Sequence, residues 1–193
     1  MAAVPVGVYP PREDTELLAR AAQGTRGLRV LEIGTGSGEV GLTAARVGAC
    51  VVVTDLNPVA LRWANGRARA EGLRLDAVRT DLAVGLGRFD VVLANPPYLP
   101  TPARARDPDR WVNLALDGGR DGLTVTRRIV ASLPGWLRPG GAAYLVISSR
   151  QDRTGRRRLA ANWKRSGGTR TVVARRRLGN ETLELWRFTP PAA

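Results

Sequence analysis

A chain of 193 residues, 44% of them hydrophobic and grouped in short runs, has room for one globular domain spanning residues 1–193 and for little else. One cysteine and no histidine exclude an intramolecular disulfide, a Cys/His zinc site built from this chain alone, and Ser-His-Asp or Cys-His hydrolase chemistry. The formal net charge is +13; it is almost all Arg and unevenly spread. From Arg150 onward, twelve basic and three acidic residues give +9, against +4 for the first 149 residues. Part of this follows from a composition rich in Arg, Ala, Gly and Pro, as GC-rich coding produces. A cluster such as Arg156-Arg157-Arg158 or Arg175-Arg176-Arg177 also favours RNA, a ribosome or an acidic protein as partner.

In chain order, residues 13–22 read as a short helix packed on a sheet, and residues 28–33 as a buried strand. A glycine turn then opens a helix over 39–47. Residues 49–54 form the next strand, where Cys50 begins an apolar run and is expected to be buried. Pro58 suits the first turn of a helix reaching residue 71. Residues 75–80 are a short strand, and 89–94 a clear one ended by Asn95-Pro96-Pro97. The next roughly 22 residues, 99–120, exceed the usual connection length and read as a lid that shapes substrate choice. Within them Trp111 either meets the target or anchors the lid to the core. A helix over 122–137, stopped by Pro139-Gly140-Gly141, precedes a strand over 142–148 and a basic helix over 152–165. Residues 169–176 and 181–188 flank Gly179-Asn180 as a closing hairpin. Repeated βα units with continuously apolar strands imply an α/β fold, a mostly parallel sheet covered on both faces, with an antiparallel hairpin at its end. No apolar run reaches the roughly 18 residues of a membrane helix. No secretory signal is visible at the start, so the expected site is the cytoplasm, without membrane contact.

Glu32-Ile33-Gly34-Thr35-Gly36-Ser37-Gly38 joins the first strand to the first of the βα helices. Glycines at 34, 36 and 38 let the backbone turn sharply and approach a ligand. The spacing is not that of a dinucleotide loop, and Glu32 and Glu39 would repel a phosphate while suiting a cation. Asp55, ending the second strand, has the place of a carboxylate that accepts from both ribose hydroxyls. Asp81-Leu82 follows the third strand, where an acid accepts from an adenine amino group and an apolar neighbour covers the ring. Each acid could otherwise be a plain turn cap.

Asn95-Pro96-Pro97-Tyr98 ends the fourth strand, where open α/β sheets bind ligands. The prolines fix the backbone and remove two donors, so the loop presents acceptors, the Asn95 side-chain oxygen and the Pro96 carbonyl. Two fixed acceptors hold both hydrogens of a planar NH2 group and turn its weak lone pair toward an electrophilic methyl. Tyr98 packs on the flat target. No metal is needed.

Taken together, these motifs resemble the class I methyltransferases that modify amino groups. The stretch from Val8 through Tyr9-Pro10-Pro11-Arg12-Glu13-Asp14-Thr15 resembles the opening of the compact HemK-related glutamine methyltransferases. So do Asp55-x-Asn57-Pro58, Gly118-Gly119-Arg120-Asp121-Gly122 and Gly179-Asn180-Glu181-x-Leu183. The resemblance covers nearly the whole chain and implies a Rossmann-like seven-stranded sheet. It implies S-adenosylmethionine as methyl donor, leaving as S-adenosylhomocysteine, held by Thr15, Glu32, Gly34, Gly36, Gly38, Asp55, Asn57, Asp81, Leu82 and Asn95. It implies Asn95, Pro96, Pro97 and Tyr98 as the reactive set. The implied substrate is the glutamine of a release-factor Gly-Gly-Gln loop, or in some members a lysine. The implied partner is a small zinc-binding activator subunit at the sheet edge near the third strand. The compact branch lacks the extra N-terminal helical domain of bacterial release-factor enzymes, in keeping with a first strand near Leu28. Two alternatives remain open on the residues alone: methyl transfer to an exocyclic amine of RNA or DNA, since adenine, guanine and cytosine also carry planar NH2 groups, and a non-catalytic subunit of a methyltransferase pair.

Overall fold

The computed structural model describes residues 3–102 and 107–191. Seven strands make one sheet in the order β3-β2-β1-β4-β5-β7-β6. β1 (Arg29–Ile33), β2 (Cys50–Asp55), β3 (Asp76–Arg79), β4 (Phe89–Ala94) and β5 (Leu137–Ser148) run parallel. The hairpin of β6 (Thr169–Leu178) and β7 (Glu181–Thr189) adds antiparallel, β7 lying beside β5. The fold class is as the sequence implies, and each expected strand is present with its ends within two residues of those expected, except that β5 begins five residues early.

Alternation along the strands sorts side chains into two cores, which is why the strands read as continuous apolar runs. Val30, Val51, Val53 and Leu93 face α1 (Glu13–Ala22), α2 (Glu39–Arg46) and α3 (Pro58–Ala70) through Leu17, Leu18, Val40 and Leu61. Leu31, Val92, Leu145 and Ile147 face the other way, toward Ile129 and Leu133 of the helix Thr124–Trp136 and Leu159 and Trp163 of the helix Arg153–Arg165. A short helix, α4 (Arg110–Leu116), precedes these two, which are therefore α5 and α6.

Three local expectations change. Pro139-Gly140-Gly141 does not separate α5 from its strand. The chain passes from Trp136 straight into β5, and the Pro-Gly-Gly stretch lies where the β4–β5 register shifts between Phe89 and Val91. Residues 99–120 are not all loop, because Asp109 caps α4 through its carboxylate on Trp111 N–H at 2.7 Å. The rest of that lid includes positions 103–106, which lie outside the described residues. Cys50 is exposed, because it opens β2 at the rim where neither helical layer reaches.

Candidate active site

Parallel strands end together, and where the strand order reverses, between β1 and β4, the helices diverge and leave a crevice. A cavity of about 420 Å³ fills it, within the usual size of small-molecule sites. Its wall holds Thr15, Glu32, Gly34, Gly36, Asp55, Asn57, Asp81, Leu82 and Asn95 through Tyr98. Residues scattered over more than eighty positions of sequence thus meet at one place.

The glycine loop is tied to β2 by Gly34 and Thr35 N–H groups, both 2.9 Å from the Thr54 carbonyl. Gly34 has φ of +71°, a backbone state that side chains resist. Gly38 corrects the expectation made for it. It does not line the cavity; a Cβ there would come within 2.7 Å of the Ala64 Cβ, so its role is to let α2 pack against α3.

Glu32 is buried. Its Oε2 accepts from the Thr35 hydroxyl at 2.7 Å and from Gly41 N–H at 3.0 Å. Burial outweighs these bonds and pushes the carboxyl up to about 8. Asp55 also titrates above its ordinary range, through burial, although backbone N–H groups oppose the shift. One of its oxygens takes Gly36 N–H at 3.1 Å and the other Asn57 N–H at 2.8 Å. Each oxygen keeps a second lone pair for a ligand. Asn57 ties three segments together: its side chain caps α3 on Val59 N–H and donates to the Gly7 carbonyl, so the N-terminal segment roofs the crevice. Asp81 sits at the rim in an ion pair with Arg128 at 2.6 Å, which engages one oxygen. Leu82 beside it has φ of +54°, a left-handed state that costs a non-glycine residue about 1 kcal/mol. The turn therefore aims an apolar side chain at the cavity wall at some expense.

The reactive loop rests on glycines. A Cβ on Gly118 would lie 2.9 Å from the Pro97 carbonyl oxygen, and one on Gly122 would lie 2.3 Å from that of Tyr98. Gly118 N–H donates to the Leu99 carbonyl and Thr101 N–H to that of Gly119, a small parallel bridge that holds the loop exit. The stretch from Gly118 to Gly122 thus backs the Asn95–Tyr98 loop directly. Within that loop, Asn95 Oδ1 is buried yet has no hydrogen-bond partner. A buried acceptor left open in this way costs about 1–3 kcal/mol, so it points to a group that the protein does not itself supply.

Three side chains, Tyr9, Asp14 and Glu181, received no role from the sequence. Asp14 is buried at the start of α1. Its Oδ2 accepts from the Tyr9 hydroxyl at 2.9 Å and the Tyr98 hydroxyl at 3.2 Å, and its Oδ1 from Thr15 N–H at 2.7 Å. Burial and the Asp14 charge push both phenols well above the usual tyrosine range, so both remain donors. Thr15 in turn accepts from Arg12 N–H. A sequence signal existed, since Tyr9, Asp14 and Thr15 lie in the opening stretch that carries the resemblance; only folding brings Asp14 against Tyr98, 84 positions away. Trp111 is both wall and anchor: it lines the cavity and packs on Gly7. Glu181, from the hairpin, closes the far side, accepting from the Ser148 hydroxyl at 2.5 Å and Arg150 Nε at 2.9 Å.

The strand order, with the crevice and its acids at the strand ends beside a glycine loop, defines a class I methyltransferase that uses S-adenosylmethionine. The cavity suits that cofactor by its volume and by carboxylates with open lone pairs.

The Methyltransferase small domain family matches residues 12–106. A putative protein N5-glutamine methyltransferase of Methanocaldococcus jannaschii is 38% identical over 144 residues, 74% of this chain and 73% of its own length. Methyltransferase HEMK2 of Homo sapiens is 33% identical over 195 residues, 94% of this chain and 89% of its own. The chain belongs to the HemK family of S-adenosylmethionine-dependent methyltransferases. Release factor glutamine methyltransferase of Deinococcus radiodurans is 42% identical over 81% of this chain, which spans 59% of that protein's length. Among solved structures, the E. cuniculi Mtq2–Trm112 complex, responsible for methylation of the eRF1 translation termination factor, superposes with a TM-score of 0.72 at 27% identity, covering 96% of this chain and 99% of the other. Among the described residues, no helix is long and apolar enough to cross a membrane.

Proposed function

We propose that this chain methylates the side-chain amide nitrogen of a protein glutamine, of the release-factor type. The observation that carries the proposal is the buried, unpartnered Asn95 Oδ1 at the strand end, next to a backbone stiffened by Pro96 and Pro97. An amide NH2 is flat and weakly nucleophilic. Asn95 Oδ1 and the Pro96 carbonyl accept its two hydrogens, fix its plane, and stabilise positive charge as it develops on nitrogen. Tyr98, its hydroxyl held by Asp14, presents its ring to the planar amide. Pro97 keeps Asn95 and Tyr98 in fixed relation.

The cofactor would be held by Asp55 at its ribose hydroxyls, by Asp81 and Leu82 at its adenine, and by Glu32 and Thr15 at its methionine end. Gly34 and Gly36 give backbone access, and Asn57 holds the roof. When bound, S-adenosylmethionine supplies an electrophilic methyl on a sulfonium and leaves as S-adenosylhomocysteine. Glu32 then serves as the buried anion facing a cation, and the two tyrosines and Trp111 keep water from the crevice.

The names carried by the M. jannaschii and D. radiodurans relatives, and the eRF1 target of the E. cuniculi complex, support a glutamine of a release factor as substrate. A small activator subunit, zinc-binding as the family resemblance implies, would extend the sheet at β3, a four-residue edge strand near the exposed Leu56 and Val84. Translation termination sets this work in the cytoplasm, where the basic C-terminal part can meet the ribosome.

The test is transfer of tritiated methyl from S-adenosylmethionine to recombinant class 1 release factor and, separately, to ribosomal RNA, with and without a co-expressed activator. Label in the release factor, lost when its Gly-Gly-Gln glutamine becomes alanine, supports the proposal. Label in the RNA alone overturns it in favour of an exocyclic amine.

A further inference from the structure

We infer that the outer face formed by α6 and β6 is a docking surface for RNA, whichever amine accepts the methyl group. Between Arg153 and Asn180 the sequence holds ten basic residues and no Asp or Glu. The fold gathers much of this charge on one side. Arg170 and Val172 of β6 face the α6 layer, Arg170 lying over Trp186 with its Cζ 4.3 Å from the ring centroid. Strict alternation would keep even-numbered residues on that face. A bulge between Val172 and Ala174 switches the phase, so that Ala174 and Leu178 join the opposite core and Arg176 pairs with Glu16 of α1. Arg175 and Arg177 therefore share the face of Arg170, beside α6 with its exposed Arg153, Arg157 and Arg158.

Two facts separate this face from an ordinary solvated one. Arg150, Arg175 and Arg176 are held in ion pairs, whereas Arg153, Arg156, Arg157, Arg158, Arg170 and Arg177 make none among the described residues. Two of these, Arg156 on the helix and Arg170 on the strand, have a buried Nε–H with no acceptor. Burial of Nε fixes these two side chains against the protein, and a phosphate oxygen is the acceptor that the remaining N–H groups of an unpaired guanidinium fit. The surface is too extended for one small anion: Arg153 to Arg158 alone covers about 7 Å of helix. Its charge is mostly of one sign, Glu184 being an acid set among the arginines through its pair with Arg175, as suits a polymer with a charge at every residue more than a protein partner with interspersed charges. One end of the strip reaches the crevice, where Arg150 at the head of α6 pairs with Glu181 at the hairpin turn at 2.9 Å. RNA bound there would lie beside the methyl acceptor.

The experiment measures fluorescence anisotropy of a labelled single-stranded RNA of about 20 nucleotides with the full chain, from roughly 50 to 250 mM salt. Binding that weakens with salt at about 0.7 log units per phosphate contacted, per log unit of salt, is expected. R156Q/R157Q/R170Q should weaken it about tenfold or more at 100 mM salt and flatten the salt slope. R153Q/R157Q/R158Q, confined to exposed side chains, should act in the same direction and guards against a folding defect at Arg170. R20Q/R62Q/R69Q, an equal loss of charge from α1 and α3, should leave binding within about twofold. Calorimetric binding of S-adenosylmethionine should be unchanged in all three. Equal weakening by both faces, no RNA binding at 50 mM salt, or a polyglutamate peptide of matched charge competing as well as RNA would each overturn the inference, the last in favour of an acidic protein partner.

Discussion

Replacing Asn95 by alanine should make the unliganded protein more stable while nearly abolishing its chemistry. Asn95 Oδ1 is buried with no partner, and such an acceptor costs about 1–3 kcal/mol. Asn95→Ala removes that oxygen and keeps the Cβ. Only the packing of a small polar group is lost, at a half-buried position. The balance is a gain of about 1 kcal/mol, which in a domain of this size raises Tm by about 2–4 °C. For turnover, one of the two acceptors proposed to orient the amine disappears. Loss of a single preorganised group of this kind costs about 10²–10³-fold in kcat. As proposed, the cofactor would lie mostly against other residues, so its Kd should change by less than about threefold. Urea unfolding, calorimetry with S-adenosylmethionine, and single-turnover methyl transfer give the three numbers on one preparation. A variant less stable than the parent by 1 kcal/mol or more would show that the oxygen already has a partner, and the argument from an open acceptor would fail.

Asp55→Ala should act on the cofactor instead: two charge-assisted bonds to ribose are worth enough to raise Kd about 10²-fold or more, with kcat at saturating cofactor much less affected, and an unchanged Kd by calorimetry would remove the ribose assignment. Glu32 gives a pH signature. Its carboxyl, raised by burial from 4.5 to about 8, stays protonated in the folded, unliganded protein through neutral pH. Its contribution to stability is complete below pH 4.5 and falls by about 1.4 kcal/mol per pH unit as pH rises toward 8. Glu32→Gln cannot ionise, so its Tm should gain on the parent's steadily from pH 5 to 8, and parallel curves in a thermal scan would contradict a buried neutral acid. Gly122→Ala combines φ of +74° with a Cβ 2.3 Å from the Tyr98 carbonyl oxygen and should cost about 3 kcal/mol with a loss of turnover, whereas Gly27→Ala, at φ of +73° in open space, should cost only about 1 kcal/mol. Equal urea midpoints for the two variants would mean that the reactive loop is not braced by Gly122.

The fold was legible because its signals are local and repeated. Val30-Leu31, Val51-Val52-Val53 and Val91-Val92-Leu93 are apolar at every position because both sheet faces are covered. The ends of elements were less legible, since they depend on what a segment meets. Pro139-Gly140-Gly141 reads as a stop, yet Gly141 is there so that β5 can pass close to the Asp90 carbonyl, 2.9 Å from where a Cβ would be. Cys50 looks like its valine neighbours and differs only in lying beyond the helical layers.

The site divides along the same line. Glu32, Asp55 and Asn95 announce themselves, because each is a polar residue at the end of an apolar strand, and a strand end in this topology is an address. Asp14 and Tyr9 have no such address. They sit before the first strand, and their meaning comes from the path that returns the N-terminal segment over the crevice, tied down by the bond from Asn57 to the Gly7 carbonyl. Gly38 misleads for the converse reason: a glycine in a ligand-binding pattern can serve the packing behind the ligand, and only the 2.7 Å approach to Ala64 tells the two uses apart. The pattern in the chain therefore specifies which strand ends bear chemistry, and the packing of loops that belong to no strand decides how tightly that chemistry is held. It follows that substitutions in the glycine-rich backing at Gly118 and Gly122 should alter turnover as strongly as many substitutions in the crevice itself, although neither glycine lines the crevice.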